Sequence, residues 1–84
     1  MKLYTAVKEC KMDEDIIYYP KGYTVVIAKE FNVYNVGDEI IYIQINDSTD
    51  LLELEPGEGF STEVGINHAV IKTDGAKVKY TYWS

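Results

Sequence analysis

The eight residues Ala76 to Trp83 alternate without a break, with Ala76, Val78, Tyr80 and Tyr82 on one side and Lys77, Lys79, Thr81 and Trp83 on the other. A period of two suits a pleated strand and no helix. It predicts a strand with a buried Val and Tyr face and a solvated Lys face. Lys2 to Glu9 has the same period, Leu3, Thr5 and Val7 opposing Tyr4, Ala6 and Lys8. A further apolar run, Ile66 to Thr73, is separated from Ala76 to Trp83 by Asp74-Gly75. An Asp-Gly pair supplies the positive φ angles of a type I′ turn, so a C-terminal β-hairpin is expected to turn at Asp74-Gly75.

The rest of the chain follows the same plan. Tyr23 to Phe31 is apolar on both faces, which predicts a central strand, and Asn32 to Asp38 reads as a loop. Glu39 to Ile45 is the most apolar run and a core candidate. Ile16 to Tyr19 reads as a short strand ended by Pro20, with a turn at Lys21-Gly22 and a charged loop over Lys11 to Asp15. Asn46 to Asp50 is a polar turn, and Pro56 to Gly59 breaks whatever precedes it. Leu51 to Leu54 fits either a helical turn capped by Ser48 or Asp50 or a short strand. Many short strands and no long helical pattern predict one all-β domain over residues 1–84, a small barrel or a sandwich.

At 84 residues and 46% hydrophobic content the chain is apolar enough for a core, but small enough for modest stability. Its single cysteine, Cys10, has no partner for an intrachain disulfide. With no signal-like apolar run in Met1 to Cys10 and no bilayer-length apolar stretch, a reducing, cytoplasmic location is expected.

The net charge is −6, and all eight basic residues are Lys. Arg is the main bidentate reader of phosphate and guanine. An acidic chain without it is repelled by polyanions, which argues against direct nucleic-acid binding and against anionic membrane surfaces.

Two segments carry a family likeness. Asn35-Val36-Gly37-Asp38-Glu39-Ile40 followed by Ile41-Tyr42-Ile43 resembles the Gly-Asp entry into a strand of SH3-like small barrels. Ile66 to Tyr82 is similar to the closing hairpin of small SH3-like proteins common in phages and prophages, mostly of unknown function. The likeness covers roughly residues 33–83 and implies an SH3-like barrel of about five or six antiparallel strands. The acidic and aromatic motif of peptide-binding SH3 domains is not recognisable. An OB-like barrel and a small β sandwich are the rivals.

Catalytic constellations are not apparent. Cys10 and His68 are the sole thiol and imidazole, and spacing supplies no third, orienting group. His68 shares a strand face with Ile66 and Val70, as an interior or rim histidine would. Two Cys or His residues in total do not make a zinc site, and the acidic residues fit no calcium loop. Gly57-Glu58-Gly59 lacks the Lys-Ser or Lys-Thr of a phosphate cradle. No enzyme activity, cofactor or metal is expected.

Two features are uneven. Asp47 to Glu63 holds six carboxylates and no Lys, either a solubilising loop or a negative patch for a basic partner. Eight Tyr and one Trp exceed what one small core encloses, and such rings serve well at interfaces. The residues favoured for partner contact are Trp83, Tyr82, Tyr80, Asp50, Glu53, Glu55 and Glu58. The function expected is a non-enzymatic protein-interaction module, an accessory protein or inhibitor of phage or mobile-element type, with a homodimer also open. The alternative is a small-molecule-binding barrel with a Tyr-lined pocket.

Overall fold

The computed structural model describes residues 1–20 and 27–84. Eight strands follow in order: β1 (Leu3–Cys10), β2 (Glu14–Tyr18), β3 (Lys29–Asn35), β4 (Ile41–Ile45), β5 (Leu52–Leu54), β6 (Gly59–Thr62), β7 (His68–Ile71) and β8 (Ala76–Trp83). The described residues contain no helix. The strands form two four-stranded sheets, ordered β1-β8-β3-β6 and β2-β7-β4-β5, with every neighbouring pair antiparallel.

Two bent ribbons build these sheets. The first pairs β1 with β8, from Leu3 opposite Trp83 to Cys10 opposite Ala76, and then β2 with β7, from Glu14 opposite Ile71 to Tyr18 opposite His68. It passes from one sheet to the other at Lys11–Asp13 and Lys72–Gly75. The second pairs β3 with β6 and β4 with β5, and bends at Val36–Ile40 and Glu55–Glu58. Strands that switch sheets at such corners wrap both sheets around one core.

Sheet pleat decides what enters that core. Phe31 and Val33 of β3 and Ala76, Val78 and Tyr82 of β8 face Ile17 of β2, Ile41 and Ile43 of β4, Leu54 of β5 and Ala69 and Ile71 of β7. The face of β8 bearing Lys77, Lys79 and Trp83 is exposed.

Asp74-Gly75 does not turn a hairpin, because β7 and β8 lie in different sheets. Of the two residues Gly75 alone has a positive φ, 77°. A type I′ reversal needs both. Instead Gly75 N–H donates to Cys10 O at 2.8 Å and Asp13 N–H donates to Ile71 O at 2.8 Å, so the chain continues across the corner beside β1 and β2. Among the described residues the strands number eight, more than the five or six expected, and they lie in two four-stranded sheets. Leu52–Leu54 resolves as a strand, and β6 forms beyond the break at Pro56.

The expected central strand over Tyr23 to Phe31 lies partly on residues 21–26, outside the described residues. Its remainder is displaced: Ala28 bridges Ile66, and β3 runs on to Asn35 through the expected loop. A bulge between Lys29 and Asn32, with Glu30 at φ 52°, resets the alternation so that Phe31, Val33 and Asn35 point inward.

Candidate functional site

Pairing lines up the outward side chains of the β1-β8-β3-β6 sheet in rows. Trp83 lies opposite Leu3 and Lys29, Thr81 opposite Thr5 and Asn32, Lys79 opposite Val7 and Tyr34, and Lys77 opposite Glu9. Four large apolar side chains on this face are solvent-exposed: Val7 at 69%, Leu3, Tyr34, and Trp83 at 36%. A strand normally buries its oilier face. Here the core takes the row ending at Cys10, and Leu3 and Val7 are left in water.

Neutral hydrogen bonds hold the middle row. Ser61 Oγ donates to Asn32 Oδ1 at 2.5 Å, and Asn32 Nδ2 donates to Thr81 Oγ1 at 3.4 Å. Tyr34 lies against Gly59, where an added Cβ would stand 2.3 Å from the ring. Fixed side chains lose less entropy when a partner covers them. A shallow cleft of about 470 Å³ opens beside Trp83, lined also by Met1, Lys29, Glu30 and Glu63.

The residues singled out from sequence do not share one surface. Trp83 is on the outer face, whereas Tyr80 and Tyr82 turn to the core side, Tyr82 being buried. Tyr82 stacks on Tyr4 at 5.1 Å and on Tyr80 at 6.2 Å between ring centroids, so these rings fill space with one another. Burial raises the pKa of both phenols above the ordinary value. Asp50 sits in the β4–β5 loop, Glu53 faces outward on β5 and accepts from Tyr42 Oη at 3.0 Å, and Glu55 and Glu58 form the β5–β6 turn. That turn meets the Asn35 end of the sheet, where Glu58 O accepts from Asn35 N–H. Trp83 is six residues further along β8 from Lys77, roughly 20 Å away at strand rise.

A second polar cluster faces out from the β2-β7-β4-β5 sheet. His68 Nε2 lies 2.7 Å from Asp15 Oδ1 and Nδ1 lies 2.8 Å from Asp47 Oδ1, with the Tyr18 ring 4.8 Å away. Asn46 and Asp47 both have positive φ, 48° and 58°, in a tight reversal closed by Ser48 N–H donating to Ile45 O. Asn46 Oδ1 accepts from the N–H groups of Asn67 and His68 and so aligns the turn with β7. Burial pulls the imidazole pKa down, but hydrogen bonds to Asp15 and then Asp47 outweigh it, leaving His68 above its ordinary value. Both nitrogens meet carboxylates, an arrangement that only the doubly protonated ring satisfies.

This cluster and Cys10 are not brought together. Cys10 points into the core and is buried, and burial pushes its thiol pKa up, away from a nucleophilic thiolate. Among the described residues no group of three or more His, Cys, Asp or Glu side chains is arranged to hold a metal ion. Asp15 and Asp47 grip opposite nitrogens of one ring and do not converge. The outward patch of Leu3, Val7, Tyr34 and Lys79 escaped sequence reasoning. Alternation shows that a segment is a strand, but not which of two mixed faces is inward. Comparison with family models, curated proteins and solved structures finds no match to this chain.

Proposed function

We propose that this protein is a non-enzymatic protein-interaction module that docks through the outer face of the β1-β8-β3-β6 sheet. The observation that carries the reading is the exposure of Leu3, Val7, Tyr34 and Trp83 on one face of paired strands. Apolar and aromatic side chains gathered on one rigid surface are characteristic of docking sites. Lys29, Lys77 and Lys79 share that face with Glu9, Glu30 and Glu63 line the cleft beside Trp83, and Asp15, Asp47 and Glu53 project from the other sheet. The partner complementary to the Lys77 and Lys79 end of this face is therefore acidic, with an apolar anchor. A basic partner would meet the opposite side. An accessory role of phage or mobile-element type, and an SH3-like kinship, belong to the same proposal. Ribbons bent at corners are consistent with small-barrel construction, although no ladder joins the two sheets among the described residues.

The test is affinity capture from native lysate with wild type and with a Trp83→Ala, Lys79→Glu double variant, each checked for an unchanged melting temperature. The reading expects proteins retained by wild type to be lost from the variant, and wild-type retention to fall with salt as the lysine contacts are screened. Identical retention by both would overturn it.

A further inference from the structure

Among the described residues nothing pairs with the side of β1 away from β8, and this edge differs from the other three sheet edges. The β2 edge is bulged between Asp15 and Ile17, β5 is three residues long and β6 is four. The β1 edge is eight residues long in unbroken register with β8. Exposed edges are usually blunted by shortness, proline, bulges or inward charge, because their unpaired amides and carbonyls template another strand. β1 has no proline and no bulge, and its one core-side charge, Lys8, is already ion-paired with Glu14 of the same chain.

The pairing with β8 identifies the free backbone groups. Lys2 and Ser84 exchange both hydrogen bonds, Lys2 N–H to Ser84 O at 2.7 Å and Ser84 N–H to Lys2 O at 2.9 Å. Antiparallel ladders alternate strictly. The amides and carbonyls of Tyr4, Ala6 and Lys8 therefore turn toward β8, and those of Leu3, Thr5, Val7 and Glu9 turn toward the open edge.

We propose that this edge pairs with the same edge of a second copy of the chain, β1 antiparallel to β1, about a two-fold axis at Ala6. Pleat allows only registers that match edge-facing residues with edge-facing residues. Centring on Thr5 sets Lys2 against Lys8 of the second copy, a like-charge pair. Centring on Val7 runs the ladder into the corner at Lys11, and centring on Tyr4 shortens it. Centring on Ala6 uses the whole length from Lys2 to Cys10. It sets Leu3 against Glu9, Thr5 against Val7 and Tyr4 against Lys8, with no like charges opposed. The product is one eight-stranded sheet, β6-β3-β8-β1 continued by its two-fold copy, with both Trp83 faces on the same side. An edge ladder alone buries less than the roughly 1,200 Å² of a standard interface, so the dimer forms in a concentration-dependent way.

Sedimentation equilibrium of wild type over a micromolar to millimolar range is expected to show monomer passing to dimer. Val7→Pro removes an N–H that points to the open edge and none that β8 uses, so it should stay monomeric with an unchanged circular dichroism spectrum. Ala6 faces Ala6 of the second copy in a non-hydrogen-bonded pair, close enough for a disulfide. Mild oxidation of Ala6→Cys should give a covalent dimer, whereas Tyr4→Cys should not, and buried Cys10 does not compete. In wild type, the Thr5 and Val7 amides should exchange more slowly at high protein concentration. A wild type that is monomeric throughout, or exchange of those amides independent of concentration, overturns the proposal even if Val7→Pro fails to fold. Capture of a heterologous partner has no bearing on this outcome, so the two readings fail separately.

Discussion

Asn35 Nδ2 donates to the main-chain carbonyl of Leu54 at 2.9 Å, joining β3 of one sheet to the end of β5 in the other. The same nitrogen donates to Glu39 O at 2.6 Å, and Asn35 Oδ1 accepts from Gly37 N–H at 3.0 Å. Asn35 is fully buried, and its carboxamide holds the second corner by satisfying three backbone groups that water does not reach freely. Asn35→Leu orphans all three and is expected to destabilise the fold by on the order of 2–4 kcal/mol in urea denaturation. Asn35→Asp, which keeps the size but loses both donors, should lose a similar amount. A loss below about 1 kcal/mol for both would show that the corner holds without the amide.

The His68 clamp makes stability depend on pH in one direction. Its folded pKa is raised above the ordinary value of 6.5, so the charged ring is favoured in the native state. The stabilisation is complete below the unfolded value and is lost as pH rises through the folded one. Groups facing the ring are Asp15, Asp47 and Tyr18. Wild type should therefore exceed His68→Gln in melting temperature at about pH 5.5, and the gap should narrow by about pH 8.5. A gap that widens with pH would show that the ring is held neutral.

Cys10 is 1% exposed and its thiol pKa is raised by burial. A thiol reagent should label it slowly in the native protein and fast in denaturant. The native rate should follow the fraction unfolded when stability is lowered by Asn35→Leu. Labelling at full speed under native conditions would mean that the β1–β2 corner opens by itself.

How far the sequence reaches is clear from single elements. Ala76 to Trp83 was legible because its alternation is unbroken and its two faces differ sharply. The same alternation puts Trp83 on the Lys face, and that face is exposed. Asp74-Gly75 reads as a hairpin turn, and the structure makes it a corner between the two sheets. That outcome depends on Cys10 O and Ile71 O taking the N–H groups of Gly75 and Asp13, partners that proximity in sequence does not identify. Asn35 reads as a turn former, and its burial follows from Leu54, nineteen positions on. β5 has three residues, too few for any period to show. The clamp on His68 draws Asp15 from 53 positions away, and only the folded ribbon brings the two together.

The contact of Tyr34 with Gly59 sets two opposing effects in one position. Alanine is ordinarily better than glycine in a strand by roughly 0.5–1 kcal/mol, because glycine loses more backbone entropy on folding. Here an added Cβ stands 2.3 Å from Tyr34 Cδ1 and 2.4 Å from Cε1, so the ring must swing away. Tyr34 is 43% exposed, which lets it move without breaking the core. Gly59→Ala is therefore expected to be net destabilising by about 1 kcal/mol through the lost ring contact. With Tyr34→Ala already in place the obstacle is gone, and the same Gly59→Ala should become stabilising by about 0.5 kcal/mol. Chemical denaturation of the four proteins in this cycle measures the coupling directly. Equal effects of Gly59→Ala in both backgrounds would show that the ring does not rest on the glycine in solution, and would remove one anchor from the docking face.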